Sequence, residues 1–381
     1  MKKLIRITTV ASSLDGLLSG QLKFMKDHFE VIGIASASMR LDKVEKEQEV
    51  RVIPLEMSRT ITPIKDLSSL FKLYRILKKE KPYIVHTHTP KAGIIGMLAS
   101  YFARVPHRLH TVAGMPLLEA VGKKRTILNF VEKLTYKCAT KVYPNSFGLK
   151  DIILENKFAD QDKIKVIGNG SSNGIDVSHF DPGLFSTKDN EHLRSSLEIE
   201  KDDFVFVFIG RLVKDKGINE LVAAFTEINK LHPHTKLLMA GMAEKTLDPL
   251  LPETEHQINN HKNIIHVGWQ WDVRPYLATS NALAFPSYRE GFPNVVMQAG
   301  SMGLPSIVTN INGCNEIIIE GKNGMIIPVK SQQSLFDAMV KILEMNSFNQ
   351  KEIRDMIADR YGRQFIWNSI LEEYKTLPVK D

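Results

Sequence analysis

The strongest constraint on the fold is an alternation of strand-like and helix-like segments that runs through the chain twice. Short segments rich in Val and Ile end in Gly, Pro, Ser or Asn, and longer segments with one apolar face separate them. Such alternation predicts βαβ units and a mostly parallel sheet, with ligand-binding loops at the carboxyl ends of the strands. A chain of 381 residues is long enough for two such domains. We therefore predict an α/β protein in which two Rossmann-like, doubly wound domains follow each other.

The predicted elements divide at a segment rich in Gly, Ser, Asn and Asp. The strands predicted in the first half are Leu4–Ala11, Phe29–Ala35, Val50–Leu55, Tyr83–Thr89, His107–Val112, Lys141–Pro144 and Ile164–Ile167. Those predicted in the second half are Phe204–Ile209, Lys236–Ala240, Ile264–Val267, Ala282–Phe285, Ser306–Thr309 and Met325–Pro328. The clearest helices are Asp66–Lys79, Ile218–Leu231 and Gln364–Lys375. Because the segment from Gly168 to Pro182 has the composition of a hinge, we predict domains at residues 1–175 and 176–363, with residues 364–381 joining the first domain.

Composition excludes several classes of protein. Two cysteines, Cys138 and Cys314, are too few for a disulfide framework or an all-thiolate zinc site, and they indicate a reducing cytosol. The basic N terminus leads into a strand-like segment that contains Arg6, not into the apolar stretch of a signal peptide. No window approaches the ~18 uninterrupted apolar residues of a membrane-spanning helix. We therefore expect a cytoplasmic protein, for which peripheral membrane association remains open.

Charge is distributed unevenly between the two halves. Residues 1–175 contain 29 Lys and Arg against 16 Asp and Glu, a net charge of +13, whereas residues 176–381 contain 21 against 27, a net charge of −6. Such asymmetry indicates that the first half meets an anionic surface. A phospholipid membrane, a nucleic acid and a large phosphorylated substrate are all consistent with it, and so is a solvated surface whose lysines only maintain solubility.

The segment from Phe208 to Gly217 lies where a predicted strand turns into a predicted helix. Gly210 permits a tight turn and the close approach of a ligand. Arg211 and Lys216 flank the turn, and two cations beside a helix N terminus form an anion site suited to phosphate or diphosphate. A solvated basic loop would have the same sequence, so the pattern alone leaves both interpretations open.

A second segment of this kind runs from Pro286 to Gly300. A helix is predicted to begin near Asn294, and free amides there favour a bound anion by about 0.3–1 kcal/mol. Glu290, just before the turn, is badly placed for a phosphate but well placed to accept hydrogen bonds from hydroxyl groups. The loop therefore offers donors for a phosphate beside an acceptor for a sugar, unless Glu290 is only an exposed loop carboxylate.

Three histidines of the first half lie near strand ends. His86 and His88 alternate on a predicted strand, so they share a face of the sheet. A metal pair is conceivable, although no third ligand of suitable spacing is near. His110 ends the next strand, where it either lines a ligand site or is a hydrogen-bonded histidine without a chemical role.

A basic amphipathic helix is predicted at residues 123–137. Lys123, Lys124, Lys133 and Lys137 alternate there with apolar residues such as Phe130. The pattern suits a helix that lies on anionic lipid, and it equally suits an ordinary helix with an apolar core face.

Together these segments resemble the retaining glycosyltransferases of family 4, which have the GT-B fold. The resemblance covers nearly the whole chain. Its motifs are Gly210-Arg211-Leu212 with Lys216-Gly217, Glu290-Gly291-Phe292-Pro293-Asn294, Gly303-Leu304-Pro305, Asn173-Gly174-Ile175-Asp176 and the segment from Gly313 to Glu316. Within the family, the segments from His86 to Gly93 and from Gly170 to Gly174 look like bacterial enzymes that assemble capsule or O-antigen repeat units.

The resemblance implies a fold, and it implies that the two domains bind different substrates. The GT-B fold would place two Rossmann-like domains on either side of a cleft, and the C-terminal helix would cross back to the first domain. The second domain would bind a nucleotide-diphosphate sugar and the first would bind the acceptor. Members of this fold need no metal, and we expect no cofactor beyond the UDP-sugar that serves as donor substrate.

The resemblance also implies roles for individual residues. Those with a catalytic role would be His110, Arg211, Lys216 and Glu290. The donor would be bound by Gly210, Arg211, Lys216, Glu290, Gly291, Phe292, Pro293, Asn294, Val295 and Gln298. The acceptor would be bound by His86, His88, Lys91 and Glu119. Retaining chemistry would be front-face, with the acceptor hydroxyl attacking beside the departing phosphate, so no nucleophile is assigned.

Gln298 departs from the family pattern. The family motif has a second glutamate eight residues after the first, usually at the nucleotide ribose, and here that position is Gln298. A carboxylate accepts from both ribose hydroxyls, whereas an amide has one accepting oxygen and two donors. We therefore expect Gln298 to contact the ribose with weaker or altered nucleotide affinity.

These implications predict a retaining, metal-independent bacterial glycosyltransferase at the inner face of the plasma membrane. It would transfer a sugar, which we take to be an N-acetylated hexose, from a UDP-sugar to a polyprenyl-diphosphate-linked saccharide in surface polysaccharide biosynthesis. Its basic first domain would meet the anionic membrane, and no nucleic acid partner is expected. The alternatives are a nucleotide-sugar epimerase of the same fold and a non-catalytic nucleotide-sugar-binding protein. A dinucleotide dehydrogenase is disfavoured because no G-x-G-x-x-G follows the first strand.

Overall fold

The computed structural model describes residues 1–58, 60, 62–244, 248–345 and 348–378, apart from the side chains of Pro116 and Glu119. Over these residues the chain divides into two compact units, one formed by Met1–Gly174 with the segment from Arg363 onward and the other by Ile175–Gly362. These limits lie one residue from the predicted domain boundaries. Each unit has its own sheet and its own apolar core.

The first unit is built on a six-stranded sheet in which every neighbouring pair is parallel. Its strands are β1 (Lys3–Val10), β2 (Glu30–Ser36), β3 (Arg51–Pro54), β4 (Ile84–Thr87), β5 (His107–Val112) and β6 (Lys141–Pro144). They are arranged in the order β3-β2-β1-β4-β5-β6, so the strand order reverses between β1 and β4. Ligand sites in sheets of this type lie at the carboxyl ends of such a pair.

Helices connect the parallel strands of the first unit. They are α1 (Ala11–Leu17), α2 (Gln21–Lys26), α3 (Met39–Gln48), α4 (Pro63–Glu80), α5 (Pro90–Phe102), α6 (Gly122–Cys138) and α7 (Phe147–Glu155). The predicted helix Asp66–Lys79 is confirmed as part of α4, which starts earlier because proline is tolerated in a first turn. Asp66 lies in the first turn of α4, where its carboxylate accepts from the Thr62 amide at 3.2 Å.

One predicted strand of this unit is wrong. Residues 164–167 form no strand, because Ile164 makes only a single bridge to Val142 before the chain turns away at Gly168, where φ is +56°. Ile167 instead packs in a core cluster with residues of the C-terminal helix, among them Ile366 and Ile370. Burial against a helix produces the same apolar pattern as a strand, and the sequence alone does not separate the two.

The second unit repeats the architecture with a second six-stranded parallel sheet. Its strands are β7 (Phe204–Ile209), β8 (Thr235–Ala240), β9 (Ile264–His266), β10 (Ala282–Phe285), β11 (Ser306–Thr309) and β12 (Gly324–Ile327), in the order β12-β11-β10-β7-β8-β9. All six predicted strands of this half are confirmed to within one residue at either end. These strands could be predicted from the sequence because strands buried on both faces are continuously apolar, as in β7 with its sequence Phe-Val-Phe-Val-Phe-Ile.

Helices again flank the second sheet. They are α8 (Thr187–Ser196), α9 (Ile218–Leu231), α10 (Pro252–Asn260), α11 (Arg274–Ala278), α12 (Asn294–Ser301), α13 (Cys314–Ile317), α14 (Gln332–Glu344) and α15 (Gln350–Tyr361). The predicted bounds of α9 and the predicted start of α12 near Asn294 are confirmed. α9 and α12 follow β7 and β10, the two central strands.

The last helix, α16 (Arg363–Lys375), belongs to the first unit. Trp367 contacts Phe24 with ring centroids 5.4 Å apart, and the Tyr374 hydroxyl accepts from Arg6 at 3.0 Å. The prediction that the C-terminal helix returns to the first domain is therefore confirmed. None of the described helices combines the length and the apolarity needed to cross a bilayer.

Candidate functional site

Two loops meet at the point where the strand order of the second sheet reverses. From β7 the chain continues to β8 and β9 on one side, whereas β10, β11 and β12 occupy the other side. In doubly wound sheets this arrangement opens a crevice at the carboxyl ends of the two central strands. Residues 210–217 follow β7 and residues 286–293 follow β10. The structure therefore brings together the two segments that the sequence had singled out.

The two loops touch through their backbones. The Tyr288 amide donates to the Asp215 carbonyl at 2.8 Å. A Cβ added at Gly217 would lie 2.1 Å from the carbonyl oxygen of Pro286, and Gly217 has a φ of +70°, which L side chains rarely adopt. Glycine is required here because only a residue without a Cβ lets the loops approach so closely.

Lys216 and Glu290 form an ion pair across this contact. Lys216 Nζ donates to Glu290 Oε1, and the Ser287 hydroxyl donates to the same oxygen at 2.9 Å. The two side chains are only 15% and 16% exposed, so water screens the pair incompletely. An ammonium group has three donors and a carboxylate about four acceptor positions, so both groups keep capacity for a ligand. The predicted phosphate-binding cation and the predicted sugar-binding carboxylate are thus direct neighbours.

Helix α12 begins at Asn294, four residues after Glu290. Pro293 precedes it and no side chain caps it, so the amides of its first turn are open to an anion. The residues after β11 brace this loop: the Asn312 side-chain amide donates to the Glu290 carbonyl, and a Cβ at Gly313 would lie 2.6 Å from the carbonyl oxygen of residue 291. The loop that was predicted to complete an anion site is therefore held in place before any ligand binds.

Two further predicted donor-binding residues have side chains that form no hydrogen bond or ion pair with another described residue. Arg211 is exposed, and no hydrogen bond or ion pair joins it to another residue that the structure describes. Gln298 is half-buried on α12, one turn after Asn294, and its side-chain amide likewise has no partner in that part of the chain. Both can therefore turn to a ligand without breaking an internal contact. That these ligands are a diphosphate and a ribose stays a prediction.

A second ion pair borders the site and was not predicted. Arg289 donates to Asp215 Oδ2 at 2.6 Å, and the Asp215 amide donates to Asp248 Oδ2 at 2.7 Å. Burial raises the pKa of Asp215 above its ordinary value, and the charge of Lys216 opposes that rise. Arg289 and Asp215 lie on loops after different strands, so no spacing in the sequence signals that they pair.

His86 and His88 of the first unit belong to a buried polar network. Arg6 is fully buried and donates from Nε to His88 Nε2 at 2.9 Å and from a terminal nitrogen to the Tyr374 hydroxyl. That hydroxyl also forms a hydrogen bond with His86 Nδ1, and His86 Nε2 contacts the Thr111 hydroxyl at 2.7 Å. Burial lowers the pKa of both histidines well below its ordinary value, and the charge of Arg6 lowers it further. Both imidazoles are therefore neutral at physiological pH.

His110 is a third buried histidine of this unit. Its Nδ1 bonds the Thr87 hydroxyl at 2.7 Å, and a Cβ at Gly93 would lie 2.5 Å from its Cε1. Burial lowers the pKa of His110 to about 4. The structure therefore places a neutral imidazole at the end of β5, and its predicted catalytic role stays a prediction.

The surroundings of the predicted acceptor-binding residues do not favour direct contact with an acceptor. His86 and His88 are only 1% and 2% exposed, so both are almost completely buried. Lys91 Nζ pairs with Asp66 at 2.5 Å. The side chain of Glu119 lies outside the described residues. Acceptor binding by these residues remains a prediction, and for the two histidines the structure supports a role inside the unit instead.

A metal pair at His86 and His88 was one interpretation of their spacing. Both nitrogens of His86 and one of His88 already take part in hydrogen bonds. Over residues 1–58, 60, 62–244, 248–345 and 348–378, no group of three His, Cys, Asp or Glu could hold a metal ion. The pair therefore finds no third ligand in the part of the chain that the structure describes.

Comparison with known proteins assigns both halves of the chain to glycosyltransferase domains. Residues 26–170 match the family model described as glycosyl transferase 4-like domain, and residues 189–361 match the model described as glycosyl transferases group 1. The capsular polysaccharide biosynthesis glycosyltransferase CapM of Staphylococcus aureus is 31% identical over 98% of this chain and 97% of its own length. The UDP-Gal:alpha-D-GlcNAc-diphosphoundecaprenol alpha-1,3-galactosyltransferase of Escherichia coli is 32% identical over 80% of this chain and 78% of its own length.

The fold agrees with this assignment. HepE of Anabaena, solved in complex with UDP, matches with a TM-score of 0.80 at 18% identity, over 99% of this chain and 100% of that chain. Identity this low establishes the shared fold alone. The two domain matches and the relatives decide among the alternatives left by the sequence, because they favour a glycosyltransferase over an epimerase, a dehydrogenase or a non-catalytic binding protein. Matched in both halves and across nearly its whole length, this chain belongs to glycosyltransferase family 4 and has the GT-B fold.

Proposed function

We propose that this glycosyltransferase moves a sugar from a UDP-sugar to a polyprenyl-diphosphate-linked saccharide during assembly of a bacterial surface polysaccharide. The observation that carries the proposal is the joint position of Lys216, Glu290 and the uncapped start of α12 where the strand order of the second sheet reverses. A cation and open amides suit a diphosphate, and a carboxylate suits sugar hydroxyls. These are the two parts of a nucleotide-diphosphate sugar that meet at the bond to be broken.

Negative charge develops on the departing diphosphate, so the groups that stabilise this charge are the ones expected to accelerate the reaction. Lys216 Nζ and the amides from Asn294 onward are in place before the reaction, so they would stabilise this charge without reorganisation. Arg211, which is exposed and unengaged by other described residues, would add a second cation. Glu290 Oε1 is occupied by Lys216 and Ser287, which leaves Oε2 for the sugar hydroxyls.

The proposed reaction proceeds with retention of configuration and without a metal ion. The acceptor hydroxyl would attack on the face from which the diphosphate departs, and its proton would pass to a departing phosphate oxygen. This route needs no protein nucleophile, and none is assigned. Burial lowers the pKa of His110 to about 4, so its proposed part in the reaction is that of a neutral imidazole.

The relatives support the substrate classes of the proposal. The name of the Escherichia coli relative states a UDP-Gal donor and a GlcNAc-diphosphoundecaprenol acceptor, and the name of CapM states capsular polysaccharide biosynthesis. HepE carries UDP in its crystal structure. We propose UDP as the nucleotide and an N-acetylated hexose as the transferred sugar. A panel of UDP-GlcNAc, UDP-GalNAc, UDP-Glc and UDP-Gal with an undecaprenyl-diphosphate-GlcNAc acceptor tests the sugar.

Thermal stabilisation by nucleotides tests the donor site first. UDP at about 100 times its dissociation constant is expected to stabilise the protein by about 2.7 kcal/mol, whereas GDP, ADP, dTDP and NAD at the same concentration stabilise it less. Arg211→Ala should reduce the shift in melting temperature. Arg211 is exposed, so a loss in that variant reports the ligand and not the fold. Equal shifts with all five nucleotides, or none with any, would contradict the proposed donor site.

The first unit also offers a surface for the membrane that carries such an acceptor. Two of its helices expose cations but no carboxylates: Asp66 and Glu80 of α4 are ion-paired, and Glu132 of α6 is buried. The exposed cations of α4 and α6 are Lys65, Lys72, Arg75, Lys78, Lys79, Lys123, Lys124, Lys133 and Lys137. Large apolar side chains are exposed beside them, namely Ile64, Leu67, Phe71, Ile127 and Phe130. We propose that this basic helix face lies on anionic lipid at the inner face of the plasma membrane.

Charge reversal on α6 is expected to weaken binding to anionic vesicles. Each Lys near an anionic surface contributes about 1 kcal/mol, so Lys123→Glu, Lys124→Glu, Lys133→Glu and Lys137→Glu together should lower vesicle affinity more than tenfold. Sedimentation with phosphatidylglycerol vesicles at 50 and 500 mM salt measures this effect. The matched control reverses four exposed lysines of the second unit, Lys201, Lys262, Lys322 and Lys351. Binding that is indifferent to salt, or that falls equally in both quadruple variants, would contradict the proposed membrane face.

A further inference from the structure

Two ion pairs of opposite polarity lie side by side between the loop after β7 and the loop after β10. Lys216 of the first loop pairs with Glu290 of the second. One position earlier on each loop, Asp215 pairs with Arg289, and 2.6 Å separate Asp215 Oδ2 from the guanidinium. The first loop therefore presents an acid and then a base, and the second presents a base and then an acid. In the observed alignment every acid meets a base.

This charge pattern opposes a shift of one loop along the other. A shift by one residue in one direction would bring Lys216 to Arg289, and a shift in the other direction would bring Asp215 to Glu290. Like charges at contact distance repel, whereas the observed alignment is attractive in both pairs. A pattern that penalises the wrong alignments as well as favouring the right one specifies a single register.

The pair of Asp215 and Arg289 is suited to hold this register while a donor is bound. In the proposed site, Lys216 turns to the diphosphate and Glu290 turns to sugar hydroxyls, so their own contact weakens when their alignment matters most. Asp215 is only 18% exposed, so water screens its charge incompletely. The Tyr288 amide donates to the Asp215 carbonyl at 2.8 Å, which ties the backbone of one loop to the residue that carries the ion pair on the other.

From this geometry we infer that the pair of Arg289 and Asp215 is a positioning element of the donor site, which holds the Lys216 ammonium at a fixed place relative to the Glu290 carboxylate. The inference rests on the function proposed above, in which Lys216 meets the diphosphate and Glu290 meets the sugar. Misplacement of a catalytic group by about 1 Å can cost about a hundredfold in rate, so the register of the two loops acts directly on catalysis. Arg289 and Asp215 act through these two groups and not on the substrate.

Steady-state kinetics of Arg289→Gln test the inference. The kcat for sugar transfer should fall by about ten- to a hundredfold, whereas KM for the UDP-sugar should change by less than about threefold, because Lys216 and Arg211 remain available to bind it and only the alignment is lost. One nitrogen of Arg289 contacts Asp215, so Arg289→Lys can keep the pair and should recover kcat to within about threefold. Lys322→Gln removes an exposed lysine of the same unit and should leave both constants unchanged. An equal loss of kcat in Lys322→Gln and Arg289→Gln would contradict the inference.

Two double variants separate positioning from direct contact with the substrate. Asp215→Asn/Arg289→Gln should be hardly less active than Arg289→Gln, because both substitutions break the same pair. Lys216→Met/Arg289→Gln should be about as active as Lys216→Met, because the ammonium that Arg289 positions is then absent. A purely structural role would lower activity in both backgrounds. If Arg289→Gln caused its full loss in either background, Arg289 would not act through the ion pair and the ammonium, and the inference would be wrong.

Hydrogen exchange measures the alignment of the loops without reference to activity. The Tyr288 amide should exchange faster in Arg289→Gln than in the wild-type protein, and at close to the wild-type rate in Arg289→Lys, because its hydrogen bond opens when the loops separate. Equal exchange in Arg289→Gln and wild type would overturn the positioning role. A wild-type protein that transferred sugar from no UDP-sugar would contradict the proposed function instead, and faster exchange in Arg289→Gln would still show that this pair holds the two loops together.

Discussion

Replacing Lys216 by Met is expected to lower kcat/KM for sugar transfer by about 10²–10³-fold, the range seen when one preorganised group that stabilises transition-state charge is removed. The side chain is mostly buried and fixed by Glu290, so its charge acts in surroundings that screen it less than water does. Most of the loss should appear in kcat, because charge on the diphosphate grows as the sugar departs. Steady-state release of UDP from the preferred UDP-sugar, with undecaprenyl-diphosphate-GlcNAc as acceptor, measures both constants.

Lys214→Met is the matched control for this prediction. Lys214 lies in the same short 3-10 turn, two residues earlier, and is exposed to solvent. It has the same charge and nearly the same place in the chain, so it reports any general effect of positive charge on the loop. Equal losses of activity in the two variants would show that net charge matters and that the fixed position of the Lys216 ammonium does not.

The ion pair makes the effects of Lys216 and Glu290 interdependent. Glu290→Gln keeps one accepting oxygen for the sugar but removes the charge that holds Lys216 Nζ. Residues in direct contact show coupling free energies of about 0.5–3 kcal/mol. The double variant should therefore lose less activity than the product of the two single losses. Strictly multiplicative losses would mean that the two groups act on the substrate independently of their contact.

The strands and helices of the second unit were predictable because each is a local pattern. β7 is continuously apolar, and the apolar residues of α9 recur at spacings of three and four. The positions of the loops after β7 and β10 followed from the same alternation, and so did their placement at the carboxyl ends of the strands. The segment 164–167 shows the limit of such reasoning, because Ile167 is buried against residues of α16 and not in a strand ladder.

The contacts inside the candidate site were not predictable, because they join residues that are far apart in the chain. Lys216 and Glu290 are 74 positions apart, and nothing in the sequence predicts that these two residues form an ion pair. In the local sequence, Arg6 shows only that the N-terminal segment is not the apolar stretch of a signal peptide. Its hydrogen-bond partners His88 and Tyr374 lie 82 and 368 positions away, so the sequence does not reveal them. A buried arginine requires several hydrogen-bond acceptors at once, and here only the folded unit brings them together.

Because three histidines of the first unit are buried, we predict that acid pH destabilises this unit. The pKa of His110 is about 4 in the folded protein against an ordinary value of about 6.5. Between these values the unfolded chain binds a proton that the folded chain does not, so stability falls as pH decreases from 6.5 to 4 and is unaffected by this group above 6.5. A shift of this size corresponds to about 3 kcal/mol for His110 alone, a large part of a typical domain stability of about 5–15 kcal/mol. His86 and His88, whose pKa values burial also lowers, act in the same direction.

Urea unfolding of the Trp269→Phe/Trp271→Phe protein measures this effect, because Trp367 then reports the first unit alone. The free energy of unfolding should decrease steadily between pH 6.5 and 4.5. His110→Gln, which cannot titrate, should show a smaller decrease over the same range even if it is less stable at every pH. His28→Gln is the control for replacing a histidine as such, since His28 is an exposed histidine of the same unit. A slope in His110→Gln equal to that of its parent would mean that the folded unit accepts a proton on His110 at ordinary pH, and that the polar network is open to water.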